Sequence, residues 1–492
     1  MYLSLDMGTT VAKAVLFDKN GHEKFVVEHA YSPLLNAEKT AEQNPEEIKL
    51  SLRVILQEVF RCDDAEYIEV VALSTQGGSF IPIAEDGEST HNLITWMDSR
   101  AKSIVDGWKE DGTSEQIRRL SGWWVEEGLP LATIEWFRRQ YPKDYERTAY
   151  FLSLNDYIGM LLTGHLVTNP SCAGEMLLVN AKSGQWDEIL CDIIGIKPDM
   201  LSVIKTAESQ IGFITDEWKK ILNFKRAIPV INGGQDHTLE ALAVGLTSQG
   251  KALLACGTAW VINAIGVFDA MEQIPPLMGV NFHVLDNLRV MSQYLGCFGA
   301  ELEWWIAEIW DSESSSLTRS DRYTLVNERM QQNHLQQEGL FYLPVSGGRQ
   351  MKESREGGVF IGLNLNHTKE HMTYAVMEGV AFEVRWALEK LKEHDFLIEE
   401  LWMIGGATRS SIWVQMIADI CCIPIRISHY SHGPALGAAM VAAVSQGDFP
   451  DYEACRKVFS IAEKLIKPNP QLRENKKYER FKALSLLMRK ED

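Results

Sequence analysis

The sequence of 492 residues predicts a layered α/β protein of two domains, and three observations carry that expectation. Strand and helix patterns alternate along the chain, the signature of sheets covered by helices. The opening strand-turn-strand pattern recurs halfway along it. A chain this long also exceeds one core of roughly 200 to 250 residues, so two domains are expected, 1–245 and 246–492.

The elements follow in order. LSLDMGTTVAKAVLFDKNGHEKFVVE reads as a strand, a tight Gly-Thr-Thr turn, a strand, the hairpin signal Asn20-Gly21, and a third strand. Asn44-Pro-Glu-Glu then opens a helical pattern through IKLSLRVILQEVF, with an asparagine cap and proline in the first turn. YIEVVALSTQGG is a buried strand. RAIPVINGGQD is a strand ending in glycines, followed by the helix-like HTLEALAVGL. KALLACGTAWVINAIG again reads as strand, Gly257-Thr258 turn, strand, and so pairs with Gly8-Thr9 of the opening. Later, VMEGVAFEVRWALEKLKEH reads as an amphipathic helix, LWMIGGATRS as a strand entering a glycine turn, and ALGAAMVAAVSQG as a small-residue helix suited to close packing.

Composition narrows the class. With 46% hydrophobic and 23% charged residues the chain is ordinarily globular, and no apolar run reaches the roughly 18 residues of a membrane span. The N-terminal MYLSLDMG carries an acid where a signal peptide needs a base, and the eight scattered cysteines include no CxxC pair. Both point to a cytoplasmic protein with reduced thiols. A net charge of −19 argues against a nucleic-acid surface.

Glycine turns supply the chemistry. Gly245 to Lys251 has P-loop spacing, but Ala252 follows the lysine and a strand, not a helix, comes next, so that reading fails. The two Gly-Thr hairpins are better phosphate cradles, because glycine admits close approach and successive N–H groups form an anion-binding concavity. One hairpin from each domain would clamp a nucleotide. The first carries Asp6, a carboxylate able to hold phosphate-bound Mg²⁺ directly or through water, where the second has Ala255. The competing reading is a pair of unrelated β-turns. A third cluster, Gly405-Gly-Ala-Thr408, suits an adenine or ribose against backbone. Asp236, in Asn232-Gly-Gly-Gln-Asp-His237 after a strand, is placed to accept a proton from an attacking hydroxyl, and its rival role is a helix N-cap. His367 and His371 have zinc-ligand spacing but lack the HExxH glutamate, and the tryptophan pairs 123–124 and 304–305 read as core packing.

With those residues in place, the chain resembles the FGGY family of carbohydrate kinases, in the actin-like ATPase superfamily. Gly358, Phe360, Gly362, Leu363, His371, Met372, Ala375 and Glu378 fall at the spacings of that family's C-terminal signature. Asp6-Met-Gly-Thr-Thr10 with Lys13 is similar to its first phosphate motif, Gly257-Thr-Ala259 to its second, Gly405-Gly-Ala407 to its adenosine motif, and Asp236 to its catalytic base. AEQNP near 43, TWMDSR near 98, LNDYIGMLLTG near 160 and QMIAD near 417 extend the likeness. The resemblance implies two actin-like, ribonuclease H-like domains with a nucleotide cleft between them, closing on the substrate. It implies ATP and Mg²⁺ as cofactors, a small sugar, ketose, sugar acid or polyol as acceptor, and a homodimer.

Residue by residue, the resemblance assigns Asp236 as general base and Asp6 to Mg²⁺. Gly8, Thr9, Thr10, Lys13, Gly257 and Thr258 go to phosphates, Gly405, Gly406 and Ala407 to adenosine, and Gln76, Trp96, Asp98, Arg100 and Gln235 to the acceptor. Four places depart from the family. Thr133 stands where a lysine precedes Trp136, and Ser74-Thr-Gln-Gly-Gly-Ser79 replaces the Arg-Glu of glycerol kinases and the Met-His-Gly of xylulose kinases. Tyr374 replaces an arginine, and His432-Gly433 stands where a glutamate is common. The altered loop argues against glycerol and D-xylulose. An actin-like ATPase and a non-catalytic sugar sensor are the alternatives; the 358–379 signature argues against the first, and retention of both Asp6 and Asp236 against the second.

Overall fold

The computed structural model describes residues 1–35, 40–267, 273–285, 287–310, 319–331, 335, 338–347, 357–428, 430–459, 463–469 and 475–488. Two compact units emerge, and neither is one continuous stretch. The first is Met1–Thr247 with Gly279–Val290 and Tyr430–Ser460; the second is Ser248–Met278 with Met291–His429 and Ile461–Asp492.

In the first unit, β1 (Tyr2–Met7), β2 (Val11–Phe17) and β3 (Glu23–Ala30) form an antiparallel meander. β4 (Val70–Thr75) adds parallel to β1, β6 (Pro229–Gln235) parallel to β4, and β5 (Gln210–Phe213) antiparallel at the edge. The order is therefore β5-β6-β4-β1-β2-β3. Leu3, Leu5, Val71 and Leu73 meet Ile48, Leu52 and Ile55 of α1 (Pro45–Val59) and Tyr157 and Ile158 of α2 (Leu154–Thr163) in a core fully removed from water. The Asn44 side chain caps α1 by accepting from the Glu46 N–H at 2.9 Å, as the Asn-Pro signal predicts. Further along, α3 (Pro170–Gly174) is a single turn capped by Asn169. Helices α4 (Asp236–Val244) and α8 (Gly433–Ser445) pack on each other and on β1, β4 and β6.

The register of β6 shifts between Ile231 and Gly234. At that irregularity Gly233 has φ +67°, and a Cβ there would lie 1.7 Å from the Leu73 carbonyl oxygen. Only glycine lets the strand pass so near, and the bulge delivers Gln235 and Asp236 to the strand's carboxyl end.

The second unit repeats the plan. Its sheet contains the run β9-β8-β7-β10-β11-β12, formed by Arg289–Gly296, Trp260–Gly266, Lys251–Cys256, Glu400–Ile404, Ile425–Ser428 and Glu463–Ile466 in that order. β7 and β8 are an antiparallel hairpin, β10 is parallel to β7, β11 parallel to β10, and β12 antiparallel to β11. Lys251 thus opens a strand, and Gly245 is the left-handed cap of α4, so the P-loop spacing has no P-loop conformation. The helices of this unit include α5 (Phe298–Trp304), α6 (Lys369–Glu393) and α7 (Ser411–Cys421). The sequence reads α6 as amphipathic, but every residue from Ala375 to Leu388 is buried. The strand Phe341–Leu343, α5 and α7 all pack on it and leave no wet face.

Candidate active site

The first unit gathers a carboxylate-rich site at the carboxyl ends of β1, β4 and β6, where open α/β sheets place ligands. Asp6 is the sixth residue of the chain and sits opposite Lys13 in the β1–β2 ladder. Its Oδ1 accepts from Ser74 Oγ at 2.8 Å. Burial first, and then the charge of Asp236, push the Asp6 carboxyl up to about 6, against the lowering effect of Ser74. The Asp6 Oδ2 accepts no hydrogen bond among the described residues, so the carboxylate fits a divalent cation such as Mg²⁺. Lys13 reaches Glu28 at 3.4 Å.

Helix α4 begins at Asp236, and the cap is its neighbour: Gln235 Oε1 accepts from the Thr238 N–H at 3.0 Å. Gln235 Nε2 donates to Asp236 Oδ1 at 2.6 Å, and the His237 N–H donates to the same oxygen at 2.7 Å. Asp236 Oδ2 accepts no hydrogen bond among the described residues. The Asp236 carboxylate is the main reason the His237 imidazole holds its proton above the usual pH. Below it, burial raises the Glu240 carboxyl to about 7.

The turn after β1 is braced by side chains. Thr9 Oγ1 donates to Gln76 Oε1 at 2.6 Å and receives Trp96 Nε1 at 3.2 Å. Gln76 Nε2 donates to Gln43 Oε1 at 2.8 Å, and Gln43 Nε2 closes the circuit on the Thr9 carbonyl at 2.7 Å. Tyr31 Oη donates to the Gly8 carbonyl. The Gly8 N–H is spent on Val11 O, whereas the N–H groups of Thr9 and Thr10 carry no hydrogen bond among the described residues. These two donors are the part of the hairpin left for an anion.

Of the residues expected at the acceptor, Trp96 is half exposed and stands beside the loop, and Gln235 adjoins Gly77. Gln76 is buried with both amide atoms engaged. Asp98 is buried too, accepting from the Ala41 N–H at 2.9 Å and from Arg100 Nε at 2.9 Å. Arg100 also donates to Glu42 at 2.6 Å and lies 4.0 Å above the Trp136 ring. Burial alone would raise the Glu42 carboxyl, but hydrogen bonds from His91, Asn92 and Arg100 hold it at about 2. Thr133 is buried in its helix and bonds back to the Leu129 carbonyl at 3.3 Å.

One carboxyl here has no counterpart in the sequence reading. Glu175 follows α3, its Oε1 accepts from Asn281 Nδ2 at 3.3 Å, and burial followed by the Asp236 charge lifts it to about 8. The Asn-Pro start of α3 was a visible signal for the turn that carries it. Nothing local tied that turn to Gly77.

In the second unit, Gly257, Thr258, Gly406 and Ala407 line one cavity of about 610 Å³. The N–H groups of Gly257, Thr258 and Ala259 make no hydrogen bond among the described residues. Gly299 opens α5 against this turn, since a Cβ on it would lie 1.9 Å from the Gly257 carbonyl. Gly405, with φ +94°, would meet the Cys256 carbonyl at 2.6 Å. Leu302, Ile306, Met377 and Trp413 give the cavity apolar walls, with Asn327 and Ser410 at its polar side. Local patterning did not reveal these wall residues, because they come from four separate helices. His367 and His371, by contrast, accept through ring Nδ1 from the Asn364 and Thr368 backbone N–H groups at 3.1 Å, at the start of α6.

Known proteins share both units. Residues 1–243 match the N-terminal domain of the FGGY family of carbohydrate kinases, and residues 277–446 match its C-terminal domain. The chain is 25% identical to a probable L-xylulose kinase of Pasteurella multocida over 99% of both chains, and 26% identical to a xylulose kinase of Staphylococcus xylosus over 95% of both. It is 26% identical to a gluconokinase of Bacillus subtilis over 92% of this chain and 89% of the relative. Among solved structures, gluconate kinase from Lactobacillus acidophilus superposes with TM-score 0.86 at 25% identity, covering 99% of this chain and 96% of that one. Xylulose kinase from Rhodospirillum rubrum gives TM-score 0.90 at 24% identity over 99% and 98% of the two chains, a likeness of fold.

Proposed function

Because the chain belongs to the FGGY family of carbohydrate kinases, with its two-domain actin-like fold, and so is a phosphotransferase with an alcohol acceptor, we propose that Asp236 is the general base that takes the proton of the acceptor hydroxyl. The observation that carries this reading is the state of its carboxylate. One oxygen is fixed by Gln235 and the His237 N–H, and the other accepts nothing among the described residues, at the end of β6 where a substrate hydroxyl would arrive.

The remaining roles follow from what each side chain has left to give. The N–H groups of Thr9 and Thr10 contact phosphate oxygens, with Gly8 and Lys13 beside them. In the second unit, Gly257 and Thr258 offer backbone donors to phosphate, while Gly405, Gly406 and Ala407 form the backbone wall of the cavity that receives adenosine. Asp6 holds Mg²⁺, which supplies charge neutralisation for the phosphate oxygens of ATP. Trp96 and Gln235 face the acceptor. Gln76, Asp98 and Arg100 act one step behind, holding Thr9 and the 41–43 segment in place. In the reaction the acceptor oxygen forms a bond to the γ-phosphorus as the bond to ADP breaks, and Asp236 accepts the hydroxyl proton. Since the transition state needs little covalent help, positioning and charge placement suffice.

The test is ADP release from the purified protein with Mg-ATP across ketoses, aldoses, polyols and sugar acids. Strong stimulation by one compound is expected. Background hydrolysis unmoved by every acceptor would favour an actin-like ATPase.

A further inference from the structure

Building on that reading, we propose that Glu175 is a substrate contact that, together with the Gly77-Gly78 turn, makes the acceptor pocket of the first unit select an uncharged sugar or polyol over a sugar acid. Two geometric facts support it. A Cβ at Gly77 would lie 1.5 Å from Glu175 Oε2 and 2.9 Å from Gln235 Cγ, so the carboxyl occupies the space that a side chain on the loop would fill. Gly78, with φ +62°, would meet Trp96 Cβ at 3.1 Å and Glu175 Oε2 at 3.9 Å. The turn therefore packs against both Trp96 and a carboxyl, beside the residue next to Asp236.

Glu175 is held as well as placed. Asn281 Nδ2 bridges Glu175 Oε1 and the Ser171 carbonyl, at 3.3 and 3.0 Å, and Ser171 Oγ receives the Gln235 N–H at 3.0 Å. The same stitch that fixes the acid fixes the strand end carrying Asp236. Oε2 accepts no hydrogen bond among the described residues.

The charges facing this carboxyl are Asp236 and His237. They decide what it can bind. With its proton affinity lifted to about 8, Glu175 is a neutral acid near pH 7, able to donate to a hydroxyl or carbonyl oxygen of a sugar. A carboxylate on the acceptor would meet the Asp236 charge, and the cations of the neighbourhood are already answered. Arg100 is paired with Asp98 and Glu42, Lys13 with Glu28, and His237 owes its proton mainly to Asp236. Recognition of a sugar acid calls for an uncommitted guanidinium or ammonium, which this surface does not offer among the described residues.

The experiment uses the full chain, Glu175→Gln and Gly77→Ala, with the best acceptor of the panel. Glu175→Gln is nearly isosteric. Gly77→Ala leaves the acid in the chain but drives a methyl into it without demanding a left-handed backbone. In wild type, uncharged acceptors should exceed sugar acids in kcat/KM by tenfold or more, and kcat/KM should fall as pH rises through about 8. Both variants should raise acceptor KM roughly tenfold with kcat changed far less, and Glu175→Gln should lose the alkaline fall. The KM for ATP stays constant. Unchanged acceptor KM and an unchanged pH profile in Glu175→Gln would overturn the inference, leaving the kinase reading intact, as would a wild-type preference for a sugar acid. Absence of any stimulated acceptor would instead remove the kinase reading and this inference with it. If Glu175→Gln fails to fold, Gly77→Ala alone decides by its acceptor KM.

Discussion

The two Gly-Thr hairpins occupy matching places in sheets of the same strand order, yet they are built by opposite means. The first is charged and braced. Asp6 precedes it, Ser74 and Tyr31 bond to its flanks, and the Thr9–Gln76–Gln43 circuit fixes its tip. The second has Ala255 in place of the acid, an exposed tip, and a position set by two glycine contacts on its carbonyls. On the proposed reading, the acid-base and metal chemistry falls to the first hairpin's surroundings, while the second offers a ligand backbone and apolar walls.

Substitutions sharpen that contrast. Asp6→Asn is expected to reduce turnover on the order of 10³-fold and to abolish the Mg²⁺ dependence of ATP affinity, read by calorimetry with and without the metal. An unaltered metal dependence would return Asp6 to a structural role. On the other side, Gly299→Ala forces a methyl onto the Gly257 carbonyl. It should destabilise the protein by about 1 to 3 kcal/mol and weaken ATP binding about tenfold without changing acceptor KM. A change confined to the acceptor would break the division of labour. Thr9→Val removes the hydroxyl that joins Gln76 and Trp96, a loss of about 1 kcal/mol. Acceptor KM should rise about fivefold, and no change would mean that Gln43 and Tyr31 suffice as braces.

The smallest effect is on stability against pH. Glu240 titrates near 7 in the fold, above its ordinary value of 4.5, because it is buried beside Asp236 and Asp6 with only His237 opposing. A carboxyl raised in this way favours the fold below about 4.5, and that contribution disappears as pH climbs through about 7. The melting temperature of the ligand-free protein should therefore fall between about pH 5 and pH 8, and fall less in Glu240→Gln. Equal slopes would contradict the assignment.

Local signals made much of the fold legible. Asn20-Gly21, Asn44-Pro45 and the two Gly-Thr turns each act within a few residues, and the strands and helix they bound are present. The glycines ending β6 and β10 were readable as well, and Gly233 and Gly405 prove to be places of close approach to backbone. What depends on distant partners was not. Gln76 reads as a loop residue open to substrate, but Thr9 and Gln43 consume its amide. The amphipathic pattern of α6 misleads because polar members of the helix such as Glu378 and Glu383 are themselves buried. Glu175 escaped notice because its meaning lies in Gly77 and Asn281, which are far from it in sequence. The segments 279–290 and 430–460, which join the first unit, likewise carry no local mark of where they pack.

The most direct test pairs turnover with ATP binding in Asp236→Asn. The geometry predicts a fall in acceptor-stimulated ADP release of roughly 10² to 10⁴ while the ATP dissociation constant stays within about twofold, because the variant keeps its size and loses only the capacity to take a proton. Turnover equal to wild type would contradict the assignment of Asp236 as the base, and an equal loss of ATP affinity would show that Asp236 holds the nucleotide instead.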